Sequence, residues 1–72
     1  MRRGWRWHPV RYTVLHQGEL VGRRRTFAAA LELGLRRGVD RIEKVSIPER
    51  GRVVRRWLGP ELVAALERVA RR

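Results

Sequence analysis

A chain of 72 residues without a cysteine is one small domain at most, held by packing and not by disulfides or thiolate-bound metal. Its 18 Lys and Arg stand against 7 Asp and Glu, a formal net charge of +11, yet 43% of residues are hydrophobic, too many for a chain disordered by charge alone. A domain of this size buries only about 60% of its unfolded surface, so its core is too thin to enclose a substrate. The class that remains is a compact basic binding module, not an enzyme.

The chain opens on Met1-Arg2-Arg3-Gly4-Trp5-Arg6-Trp7-His8-Pro9, which reads as a basic aromatic arm or an extra edge strand ahead of a single α+β domain over residues 10–72. Arg2, Arg3 and Arg6 interleave with Trp5 and Trp7, a pattern suited to stacking indoles on unpaired bases while guanidinium groups contact phosphate. No apolar segment follows that would make a signal peptide, and none elsewhere is long enough to cross a bilayer. The expectation is a cytoplasmic protein with no membrane partner.

Val10, Tyr12 and Val14 alternate with Arg11 and Thr13, as in a half-buried strand, and Gln17-Gly18 supplies a tight turn into Glu19–Arg25, the second arm of a hairpin. Gly22 marks either a bulge or a close approach. Thr26 is a natural N-cap for a helix over Phe27–Arg37, whose apolar side is Phe27, Ala30, Leu31, Gly34 and Leu35, with Glu32 and Arg36 spaced to pair. Gly34 implies close packing of helix on sheet. Gly38 sits where a left-handed end residue is needed, with Val39 to close the end hydrophobically.

Ile42–Ile47 reads as a third strand, Pro48-Glu49-Arg50-Gly51 as a type I turn with a glycine bulge, and Arg52–Trp57 as a fourth strand. Pro60 and Glu61 then open a second helix running to near Arg71, with a stripe of Leu62, Val63, Leu66, Val69 and Ala70 and a Glu67–Arg71 pair. The order β-β-α-β-β-α predicts an α+β fold with a mostly antiparallel sheet, helices packed on one face and the other face open. Leu33 and Leu58 fall outside the helix stripes and are expected to meet the second helix or a second copy of the chain, which leaves monomer and homodimer both open. Tyr12, Phe27 and Trp57 belong to the core.

Seventeen of the basic residues are Arg, and there is no Asn. That profile fits a GC-rich or heat-adapted genome, so the preference for Arg over Lys carries less weight than the charge itself. On the strands, Arg11, Arg24 and Arg56 are expected to share the open sheet face, with Arg23 and Arg25 displaced by any bulge at Gly22, and Lys44 and Arg55 adding to the basic set. The leading expectation is a non-enzymatic nucleic-acid-binding protein with salt-sensitive phosphate contacts, DNA and RNA not being distinguished by charge. An alternative is docking on an acidic surface of a host protein, as a phage or mobile-element accessory factor would. Tyr12-x-Val14, the glycine turn, Thr26-Phe27-x-x-Ala30 and Gly51-x-Val53 together resemble small bacterial and phage proteins over residues 10 to 57, a resemblance that carries over no functional residue.

A third reading is a small basic ribonuclease built on His16 with Arg and Glu19. His8 and His16 lack the company of a metal site, and the glycines are each used by a turn, bulge, cap or close contact. No cofactor and no metal are expected.

Overall fold

A computed structural model describes residues 9–72, and the arm residues Arg2, Arg3, Trp5, Arg6 and Trp7 lie outside them. The chain forms β1 (Val10–His16), β2 (Glu19–Arg24), α1 (Phe27–Arg37), β3 (Arg41–Ser46), β4 (Arg52–Leu58) and α2 (Gly59–Ala70). The four strands make one antiparallel sheet in the order β2-β1-β3-β4. Both helices pack on one face, α1 over β1 and β2, α2 over β3 and β4, and they touch each other.

Cross-strand partners share a face, so the register sorts the side chains. Val14 opposes Ile42, which opposes Trp57, and all three join the buried core with Ala30, Leu31, Leu33, Leu62 and Ala65. Phe27 and Trp57 stack with centroids 4.3 Å apart, and Tyr12 lies 5.7 Å from one and 6.0 Å from the other. These three aromatics bind α1 to the middle and far side of the sheet.

α1 begins as its sequence dictates. The backbone N–H of Ala29 donates to Thr26 Oγ1 at 3.1 Å, the N-cap bond. Two expectations for its faces are corrected. Leu35 is 47% exposed, whereas Leu33 is 3% exposed, buried in the core cluster and close against Gly22 of β2. The helix turns this flank inward because the missing side chain at Gly22 leaves a hollow that only Leu33 can reach; a Cβ there would lie 2.8 Å from Leu33 Cδ2. On α2, Leu62 and Ala65 are buried with Leu66 and Val69 alongside, while Val63 is 52% exposed and Ala70 is also exposed. The helix thus rolls toward its Ala65 flank, where a small residue admits α1.

Gly34 does pack closely, but its neighbour is Val39 just past the helix end, not the sheet. A Cβ at position 34 would fall 2.5 Å from Val39 Cγ1 and 2.9 Å from its Cβ, inside any tolerable contact. Gly38 closes the helix by donating to Gly34 O at 2.7 Å; its φ of 97° and ψ of 143° lie outside the left-handed helical well. Gly34→Ala is therefore expected to destabilise the fold by about 1–3 kcal/mol, the usual cost of overpacking, read as a lowered midpoint in urea. Adding Val39→Ala should restore part of the loss, because the clash and the small cavity offset.

The first turn uses Gln17 at φ 53° and Gly18 at φ 81°, the two positive values of a two-residue hairpin. Asp40 stabilises it from the far side of α1: its carboxylate accepts from Gln17 N–H at 2.8 Å, and its own N–H donates to Leu15 O at 2.9 Å. In the second turn Ser46 Oγ and Arg52 Nε both donate to Glu49. The Arg52 bond first, then that of Ser46, holds the exposed Glu49 carboxyl below the usual carboxylate range.

Of the expected i,i+4 pairs, Glu67–Arg71 forms at 3.9 Å, whereas Glu32 reaches across to Arg72 at 3.9 Å instead of Arg36. That contact links the residue at the C-terminus to the middle of α1. No helix among the described residues is long and apolar enough to cross a membrane.

Candidate nucleic-acid interface

The face of the sheet turned away from both helices is built in three ranks. The middle rank runs Arg23, Thr13, Glu43, Arg56 across β2, β1, β3 and β4. Toward the first turn lies Leu20, Leu15, Arg41, Leu58, and on the other side Arg11, Val45, Val53. With strands about 4.8 Å apart, the middle rank separates Arg23 from Arg56 by roughly 14 Å. Four arginines therefore surround one acid on a surface about the width of a DNA groove.

The expected set is partly redistributed. Arg11 and Arg56 stand on this face as anticipated, but Arg23 replaces Arg24. The cause is one extra residue. Counting back from a two-residue turn, Leu15 opposes Leu20 and an unbroken ladder would continue with Val14 against Val21, which puts Arg24 opposite Arg11. The register instead jumps, Val14 opposing Gly22, so that Val21 is the inserted residue. A single insertion exchanges the faces of all that follows, and Arg24 comes to oppose Tyr12 on the helix side, half-buried, with Nη1 donating to Arg23 O at 2.7 Å. Arg25 lies exposed in the turn into α1.

Lys44 and Arg55 also belong to the helix side, as cross-strand partners of each other and of Tyr12. Arg55 is committed there: its guanidinium lies 4.3 Å over the Trp57 ring and it pairs with Glu61 in the first turn of α2. Arg41 was not among the expected residues. Its signal was present in the alternation, two positions before Glu43 and so on the same face, but the strand was expected to begin one residue later.

Glu43 organises the centre. Its Oε2 accepts from Arg56 Nε at 3.0 Å and pairs with Arg41 Nε at 3.7 Å, and its side chain is only 15% exposed. Beside it Thr13 and Val45 are buried, Val45 standing apart from the core cluster on the other side of the sheet. Arg11 Nη1 donates to Val10 O at 2.8 Å. The chain enters β1 at Pro9, whose carbonyl accepts from Ile47 N–H at 2.8 Å.

Elsewhere, a groove of about 310 Å³ between the helices is lined by Phe27, Leu31, Ala65 and Val69 with Arg68 and Arg72. His16 rests against Gly38 with Glu19 as its cross-strand partner. Among the described residues no three His, Asp or Glu side chains gather in a way that would hold a metal ion. No family model, curated protein or solved structure matches the chain.

Proposed function

We propose that the protein binds nucleic acid through the helix-free face of its sheet, contacting phosphates without reading sequence. The observation that supports this most is the convergence of Arg11, Arg23, Arg41 and Arg56 on one face around the single acid Glu43. Elsewhere among residues 9–72 eleven Lys and Arg stand against six acids, a lower ratio, and Glu49, Glu61, Glu67 and Glu32 pair with Arg52 and Arg55 of β4, Arg71 at the end of α2 and Arg72 of the tail. The aromatic rings of Tyr12, Phe27 and Trp57 are all committed to the helix side. Among the described residues this surface therefore offers phosphate contacts and no aromatic ring for stacking, and any stacking on unpaired bases falls to Trp5 and Trp7.

Fluorescence anisotropy with labelled duplex DNA, single-stranded DNA and structured RNA tests the reading. Three to four phosphate contacts give a slope of about −3 in log K against log salt, hence a loss of roughly 40- to 150-fold in affinity between ~50 and ~200 mM salt. Saturable binding with that slope supports it. Absence of binding to every probe at the lower salt overturns it. In that event a second reading takes over, docking on an acidic protein surface, which draws on Leu20 and Leu58, 57% and 54% exposed in the rank beside Arg41.

A further inference from the structure

Arg41 and Arg56 face the same carboxylate oxygen, and each meets it through Nε. They are diagonal neighbours on β3 and β4, since Arg41 opposes Leu58, and such positions lie about 7–8 Å apart, within reach of two long side chains meeting at one point. Among the described residues neither guanidinium spends a terminal Nη nitrogen on a protein acceptor. The carboxylate holds Arg56 by a hydrogen bond at 3.0 Å and draws Arg41 toward the same point by an ion pair at 3.7 Å, which leaves the Nη atoms of both for another acceptor.

We propose that Arg41 and Arg56 form a clamp for a single phosphodiester, with Glu43 as its positioning residue. The inference rests on the nucleic-acid reading above and names the part of that face where one phosphate is held in a fixed geometry. Arginine meets phosphate through paired, directional N–H bonds, which lysine cannot reproduce at the same charge. Glu43 plays the part that a second sphere plays at a metal site, restricting the orientation of the groups that touch the ligand. Its low exposure, 15% on a face without a helix, is what such a buried support requires.

Charge and geometry make opposite forecasts for two sets of variants. Arg41→Lys and Arg56→Lys each preserve net charge, and each is expected to weaken binding to labelled duplex DNA by roughly tenfold, one lost bidentate contact. Arg37→Lys, at the exposed end of α1, should change it less than about twofold. Glu43→Gln raises the net charge by one, so a simple electrostatic surface would bind more tightly; the clamp predicts no gain, or a loss, with the urea midpoint of each variant measured alongside to confirm folding. Wild-type binding with silent lysine variants, or a tighter Glu43→Gln, overturns the clamp and leaves the broader reading standing. No wild-type binding overturns both.

Discussion

Replacing Arg11, Arg23 and Arg56 together by glutamine is expected to flatten the salt dependence of nucleic-acid binding by about 1.8–2.7 units of slope, Arg41 being left on the phosphate it shares with Arg56, and to remove most of the affinity at ~50 mM salt. Glutamine keeps the length and polarity of the side chain and introduces no acid beside Glu43, so the sheet is preserved. The informative comparison is Arg36, Arg37 and Arg68 changed to glutamine, three exposed residues of the helical layer. Both triple variants lose three charges and so weaken long-range attraction equally. Only the first removes counterion-releasing contacts, if the helix-free face is where the phosphates sit. Equal slopes in the two variants would show that the protein attracts polyanions without a defined surface, and the assignment to this face would fall.

Trp57→Ala is expected to remove about a third or more of the molecule's stability. The side chain is 7% exposed, stacked on Phe27 and within 6.0 Å of Tyr12, and it opposes Ile42 across the ladder. Truncating such a residue costs about 3–5 kcal/mol. A chain of this length has on the order of 4–10 kcal/mol in all. Circular dichroism in urea should show a midpoint lowered by about a third or more, and no cooperative transition if the wild-type stability lies at the low end of that range. Trp57→Phe retains a ring for Phe27 and should fall between, with a loss nearer 1–2 kcal/mol than 5. If Trp57→Ala unfolded at the wild-type midpoint, the aromatic cluster would not be the keystone between α1 and β4 described above.

Much of this architecture is written locally, and that is why it could be read. Thr26 before a run of Ala and Leu, Pro60-Glu61 before another, and the alternation of Val10, Tyr12 and Val14 each act within a few residues. The order of strands and helices follows from them. What escaped was set by packing that residue type and spacing do not specify. Leu33 and Leu35 are equally good helix residues, and the hollow over Gly22 decides which is buried. Gly34 looks like a helix–sheet contact in the sequence and is a helix–loop contact in space.

The candidate site was legible in kind more than in membership. Arginine on a strand face could be anticipated, but which arginine depended on a one-residue insertion. Gly22 hinted at the irregularity without saying where the extra residue falls, and its position at Val21 exchanges Arg23 for Arg24. Arg55 reads like Arg56 in composition, yet the pleat sends it to Trp57 and Glu61. Lys44 follows Arg55 for the same reason.

The two breaks in register also matter for the company the molecule keeps. Val21 in β2 and Val54 in β4 are the inserted residues, and these are the two outer strands of the sheet. A foreign strand seeking to extend the ladder on either side would meet a kinked backbone flanked by Arg23 and Arg24 or by Arg55 and Arg56, a poor template for cross-chain pairing. Under the proposed function, several copies gathered on one polyanion would gain from margins that do not polymerise. The same insertion that chooses which arginine faces outward thus guards the sheet against amyloid-like growth.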